Sequence, residues 1–292
     1  MTSCLLCTQG TITERFKRGA MRVVVCGDCG LQFLDPQPSD DALSAIYGEG
    51  YFVGPADGEE MAKTRRLKQA TASLQLADIQ RYAASRGDAC PLGQAIEIGC
   101  GIGDFLKVAT DAEIEIRGVD VSASAVASAN AYLGRSLASV GTLEDLDDAA
   151  GSLDLIVLAD VIEHVRDPVA FLGRVGDLLR PGGVVFAATP ALDSWSARLM
   201  GRHWMDYKPE HLFYFDRRTV SQLFDRAGFD DVTITPGRKA LSLDYVRGHF
   251  TRYPVPLVTP VLSAIHALLP RTLADAPFRI TASGINIVAT KR

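Results

Sequence analysis

The sequence predicts an α/β chain, with a mostly parallel sheet covered by helices on both faces and a small four-cysteine module in front of it. Three observations predict it. From residue 94 onward, short apolar strands alternate with helical stretches; a glycine-rich turn, Gly99 to Gly103, runs from the first of these strands straight into a helix; and two CxxC pairs fall within the first thirty residues. Strands that alternate with helices form parallel sheets buried on both faces. Of the 292 residues, 47% are hydrophobic and 22% charged, which supplies a sizeable core and excludes global disorder. The net charge of -5 and pI near 5.6 argue against strong nucleic-acid binding, which needs a basic footprint.

Taken in order, residues 1–38 are turn-rich and hold Cys4-x2-Cys7-x18-Cys26-x2-Cys29. Each CxxC turn presents two thiolates, and two such turns complete a tetrahedron around Zn²⁺, the spacing of a zinc ribbon. A redox CxxC is the rival, but it needs only one pair and a thioredoxin-like setting. Four protein ligands close the site, so the zinc is expected to be structural. Residues 39–88 form a helical linker: Ser39 or Asp40 caps a short helix, and Met61 to Ala84, free of Gly and Pro, reads as a long one. Residues 89–292 carry the alternation. QAIEIG, EIRGVDV, SLASVGTL, LDLIVLAD, GVVFAATP, DVTITP and GINIVAT are the expected strands, and a helical insertion at about 238–278 separates the last two. Val255 to Leu269 is apolar but only fifteen residues long, too short to span a bilayer. The N-terminus lacks the pattern of a secretory signal, which leaves the cytoplasm as the expected location.

The turn Gly99-Cys100-Gly101-Ile102-Gly103-Asp104 differs from a dinucleotide GxGxxG, because the third position is an acid. A pyrophosphate would meet Asp104 at the helix N-terminus, where anions are favoured as ligands. S-adenosylmethionine has no phosphate to be repelled. Glu97, two residues before Gly99, suits a cationic, zwitterionic cofactor, and Asp120 closes the next strand where a carboxylate accepts both ribose hydroxyls.

The segments EIGCGIGDFL, GVDVS, LDLIVLADVIEHVRDP and LLRPGGVVFAATP resemble, in order, the motifs of class I S-adenosylmethionine-dependent methyltransferases, and the likeness continues through EHLFYF, RAGFDDV and GINIVAT. The resemblance implies a Rossmann-like seven-stranded sheet of order 3-2-1-4-5-7-6 with the seventh strand antiparallel. It implies that Glu97, Gly99, Cys100, Gly101 and Gly103 surround the methionine end, that Asp120 and Val121 take the ribose, that Thr142 and Leu143 meet adenine, and that Asp160 completes the cofactor set. An acid is more usual where Thr142 stands. CGDCGLQFLDPQP and YGEGYF resemble zinc-carrying methyltransferases that act on sugars, polysaccharides and secondary metabolites, which implies a small-molecule or glycan acceptor. Some ribosomal-RNA methyltransferases also carry a zinc ribbon, and Arg15, Lys17, Arg18 and Arg22 place basic charge on this one. RNA methylation is therefore an alternative, and a non-catalytic cofactor-binding scaffold is another.

Ligands of open α/β sheets lie beyond the carboxyl ends of the strands. Two expected loops there carry ionisable groups: Asp160 to His164 after the fourth strand, and Trp195 to Phe215 after the fifth. Methyl transfer from a sulfonium needs a positioned acceptor and removal of its proton. His211 is the first candidate base and His164 the second, although an EHV stretch after the fourth strand is widespread in the family and can serve only to order the loop. In the insertion, Val261, Ile265, Leu268 and Leu269 share a helical face expected to pack over the active site or to form a homodimer contact.

Overall fold

The computed structural model describes residues 3–8, 10–47, 58–86, 92–252 and 258–292. Cys90, residues 48–52 of the YGEGYF stretch and residues 255–257 of the insertion lie outside the described residues.

The N-terminal residues form three antiparallel strands, β1 (Ile12–Arg18), β2 (Met21–Cys26) and β3 (Gln32–Leu34). A two-residue turn at Gly19-Ala20 joins β1 to β2, and Gly19 supplies the positive φ, +59°, that such hairpin turns demand. Helix α1 (Asp40–Ile46) starts at Ser39, whose Oγ accepts from the Ala42 N–H. Helix α2 (Glu59–Ser85) buries Leu67, Leu74, Leu76, Ile79 and Tyr82.

The α/β part follows as β4 (Gln94–Ile98), α3 (Asp104–Asp111), β5 (Glu115–Asp120), α4 (Ala123–Leu133), β6 (Ala138–Val140), β7 (Leu153–Ala159), α5 (Pro168–Leu178) and β8 (Leu179–Pro190). Its helix starts are written in the sequence. Ser122 caps α4, and the Asp167 carboxylate accepts from the Val169 and Ala170 N–H groups, with Pro168 in the first helical position. Then come α6 (Trp195–Met200), β9 (Phe213–Tyr214), α7 (Arg217–Arg226), β10 (Phe229–Leu241), α8 (Leu243–Arg252), α9 (Val258–Leu268), α10 (Arg271–Ala274) and β11 (Phe278–Lys291).

Seven strands form one sheet in the order β10-β11-β8-β7-β4-β5-β6; numbered within this domain and read from the other edge, that is 3-2-1-4-5-7-6. The pairs from β6 to β8 are parallel, and β11 is antiparallel to both neighbours. Ile96, Leu155, Ile156, Val157 and Phe186 at its centre are fully buried. SLASVGTL yields only the three residues of β6, because Leu143–Asp145 turns into a 3₁₀ helix. The insertion is also tighter than expected: β10 and β11 stay paired out to Leu241 opposite Phe278, so the helices fill only the residues between.

The N-terminal sheet is not self-contained. Its order is β1-β2-β3-β9, with Phe33 opposite Phe213 and Gln32 opposite Tyr214. The fourth strand is therefore lent by the loop after β8. One hydrophobic core runs from Cys4, Val23, Phe33 and Leu34 through Trp204, Phe213 and Phe215 to Ile156 and Leu158 of the large sheet. The N-terminal strands thus share a ladder and a hydrophobic core with the α/β part.

Candidate active site

The turn after β4 has an unusual backbone. Gly99 and Gly103 have φ of +74° and +82°, and a Cβ would stand 2.8 Å from Val161 Cγ2 at the first and 3.0 Å from Ala129 Cβ at the second. Both positions therefore require glycine. The Asp120 carboxylate accepts from the Gly101 N–H at 2.8 Å and from the Ser122 N–H at 2.9 Å, tying the end of β5 to the turn. Arg65 of α2 reaches over the same turn and donates to the Ile102 carbonyl at 3.1 Å.

Three acids converge here. Burial holds the Glu97 carboxyl well above the ordinary carboxylate range, and the nearby Asp104 and Asp120 push it further. Burial raises Asp104 and Asp120 too. Glu97 Oε2 is buried without a hydrogen-bond partner. A cradle of carboxylates with an orphaned oxygen fits the ammonium group and hydroxyls of S-adenosylmethionine. Cys100 turns its side chain inward, against Gly118 and into the core, so only its backbone faces the turn. Val121 is exposed, Leu143 is buried, and Thr142 caps the 3₁₀ turn with its hydroxyl donating to Asp145.

Beyond β7 and β8 the structure brings together Glu163, His164 and His211. The His164 and His211 rings meet edge to face, 4.7 Å between centroids. Thr189 at the end of β8 donates to Glu163 Oε2 at 3.0 Å, while Oε1 has no partner. His164 Nδ1 lies 3.1 Å from the Glu210 carbonyl and 2.7 Å from the Tyr47 hydroxyl. His211 is 4% exposed, and its Nδ1 is buried without a partner. The Leu212 N–H donates to the Glu163 carbonyl at 2.8 Å, which stitches the two loops together. Burial lowers His164 to about 4 and drives His211 well below its ordinary value, with His164 adding to the effect; burial raises Glu163 to about 8. Both imidazoles are therefore neutral at pH 7.

Asp160, with φ of +56°, stands beside the cluster, and its charge acts on both Glu163 and His164. Its carboxylate faces Lys239 of β10 at 3.9 Å, and Lys239 is raised by that charge. Lys239 and Tyr47 reach the site from β10 and from the end of α1, and no local motif announces either. The apolar face of α9 does not cover the site. Val261, Ile265, Leu268 and Leu269 are exposed, α9 has no buried residue, and His266 ties it to Asp244 of α8 at 3.0 Å.

At the far side of the N-terminal sheet, one sulfur each from Cys4, Cys7, Cys26 and Cys29 lies within 4.8 Å of the other three, with Cys4–Cys29 and Cys7–Cys26 at 3.5 Å. A Cβ on Gly10 would stand 2.6 Å from the Cys26 sulfur, so backbone presses directly on the cluster. Burial raises the Cys26 thiol, but N–H groups of Cys29 and Asp28 outweigh it and bring the thiol down to about 7. Of the basic residues nearby, Arg22 pairs with Asp35 at 2.8 Å, Arg18 donates to the Tyr207 carbonyl, and Lys17 pairs with Glu14 at 3.3 Å.

A family model described as a methyltransferase domain matches residues 65–234, more than half of the chain. The chain belongs to that family. It is an S-adenosylmethionine-dependent methyltransferase. This methyltransferase is 29% identical over 192 residues to a "Probable S-adenosylmethionine-dependent methyltransferase" of Mycolicibacterium smegmatis, covering 65% of this chain and 68% of that one. It is 35% identical over 98 residues to a ubiquinone biosynthesis O-methyltransferase of Bradyrhizobium, covering 32% of this chain and 38% of that protein. The methyltransferase thus spans less than two fifths of the ubiquinone-pathway relative. Its fold is similar to that of phosphoethanolamine N-methyltransferase 2 of Haemonchus contortus, a structure in complex with S-adenosyl-L-methionine (TM-score 0.51, 16% identity, 94% of this chain and 70% of that one). Among the described residues, no helix is long and apolar enough to cross a membrane.

Proposed function

We propose that this methyltransferase moves the methyl group of S-adenosylmethionine to an oxygen of a small-molecule or glycan acceptor. The observation that carries the reading is the adjacency of two sites. Val161, beside the Asp160–His164 loop, packs on Gly99 of the cofactor turn, so the buried Glu163–His164–His211 cluster adjoins the loop that would hold the cofactor. Gly99 to Gly103 with Glu97 would take the methionine end, Asp120 the ribose, and Leu143 with the Thr142 backbone the adenine. S-adenosylmethionine supplies an electrophilic methyl on a sulfonium, and the protein aligns the acceptor and receives its proton. His211 is the proposed proton acceptor, through its open Nδ1. His164, held by Glu210 and Tyr47, positions that ring.

The cysteine cluster is read as a structural zinc site. Tetrahedral Zn–S bonds of about 2.3 Å place the sulfurs about 3.8 Å apart, close to the spacing here. Arg18 and Arg22 are engaged within the fold, which favours a scaffold role over a grip on RNA. The test is calorimetry with S-adenosylmethionine, followed by transfer of labelled methyl to a panel of hydroxylated acceptors, nucleotide-linked sugars and RNA. Methylation of RNA alone would overturn the acceptor class, and tighter binding of NAD than of S-adenosylmethionine would overturn the cofactor.

A further inference from the structure

We propose that Glu163, His164 and His211 form a binding site for one divalent first-row transition cation, separate from the four-cysteine site. Each residue offers one ligand atom, and the three atoms lie within 4.8 Å of one another, the span of donors around a single ion. Glu163 and His211 are 1% and 4% exposed, and each holds an unpartnered buried atom, Oε1 and Nδ1 respectively. Burying such atoms without a partner is costly, so something that accepts their lone pairs belongs between them. His164 brings its Nε2 to 4.0 Å from Glu163 Oε1. The Glu210 carbonyl can only accept, so it places the His164 proton on Nδ1 and leaves Nε2 with a free lone pair.

The outer contacts have the form that metal ligands take. Thr189 fixes the second oxygen of Glu163, the Glu210 carbonyl fixes the second nitrogen of His164, and the Glu163 carbonyl receives the N–H beside His211. Hydrogen bonds to the non-ligating atom set ring orientation and tautomer in such sites. Two imidazoles and a carboxylate select transition cations over Mg²⁺ or Ca²⁺. Asp160, 3.9 Å from Lys239, is outside the ligand set but close enough for its charge to act on Glu163 and His164.

Three protein ligands leave coordination positions open, as in catalytic metal sites. A cation there would bind the acceptor oxygen and lower its pKa. That consequence rests on the methyl-transfer reading, whereas the binding site does not. His211 Nδ1 is a ligand in the cation-loaded chain and serves as proton acceptor only in the cation-free one. The rival occupant is the acceptor itself, with its hydroxyls donating to the same atoms.

The experiment uses the full chain with its cysteine site filled with zinc, titrated with Co²⁺ and followed by visible absorption. One Co²⁺ per chain is expected, with ligand-field bands but no thiolate charge-transfer band. Glu163→Gln and His211→Gln should each weaken it at least about tenfold, the loss typical of a disturbed site, while Asp111→Asn, at the exposed end of α3, leaves it unchanged. Calorimetry with S-adenosylmethionine on the same samples reports folding and, independently, the methyltransferase reading. Should Glu163→Gln fail to bind cofactor, His211→Gln and His164→Gln decide. No Co²⁺ uptake beyond the zinc, uptake with thiolate bands, or equal affinity in the folded variants overturns the proposal.

Discussion

Asp120→Ala removes a carboxylate that is 3% exposed and accepts from two backbone N–H groups, those of Gly101 and Ser122. Losing that acceptor costs about 1–3 kcal/mol for each donor left unsatisfied, so about 2–6 kcal/mol of stability, toward the low end because water can enter from the cofactor side. The same carboxylate is expected to hold the ribose hydroxyls through two charge-assisted hydrogen bonds, each contributing about 1.5–3 kcal/mol. Water in the vacated space recovers part of that. The affinity for S-adenosylmethionine should still fall at least about tenfold, since 1.4 kcal/mol is one decade. Asp120→Asn keeps one acceptor for Gly101 but no charge, so it should lie between the two. Calorimetry with S-adenosylmethionine and its demethylated product gives the affinity, and a thermal melt separates the stability loss from it. An Asp120→Ala chain that folds and binds the cofactor as tightly as the parent would refute the assignment.

Cys26→Ser should abolish binding of one zinc per chain, measured by metal analysis, and leave cofactor affinity within about twofold. Because β3 pairs with β9, it should also stop acceptor turnover; full turnover without zinc would break the link. His211→Ala should lower kcat by about 10²–10⁴ with cofactor binding intact, and a wild-type rate would exclude His211. Cofactor affinity should rise with pH above the ordinary carboxylate range, about 4. The raised carboxyls of Glu97, Asp104 and Asp120 hold protons that a cationic ligand expels, so binding releases protons. Calorimetry in buffers of different ionisation enthalpy reads the sign, and proton uptake would contradict it.

The large sheet was legible because its signals are local. Apolar runs such as LDLIVLAD allow no solvent face, and Ser122, Asp167 and Pro168 mark helix starts by chemistry within one turn. The glycine turn was legible for the same reason, since strand, glycines and acid follow one another. What escaped was non-local. Phe213 and Tyr214 look like part of an aromatic loop, and nothing near them says that their backbone pairs with residues 32 and 33. Lys239 sits in a strand whose end falls in the expected helical insertion, because its partner strand begins only at Phe278. His211 was reachable as a residue type in the right loop, but its contact with His164 depends on the Leu212 bond to the Glu163 carbonyl, which no spacing encodes.

The borrowed strand also sets an order of events during synthesis. β3 leaves the ribosome early, yet its partner β9 lies 180 residues later, from Leu34 to Tyr214. At about 5–20 residues per second, translation leaves that edge waiting for about 9–36 s. All four cysteines are made before Leu31, so the four thiols are available to one another while the sheet is still one strand short. During the wait, the free side of β3 and the apolar Phe33 are open to any passing strand, the usual hazard of an unprotected edge. A three-stranded sheet with one edge open until residue 214 arrives is the nascent state this topology implies.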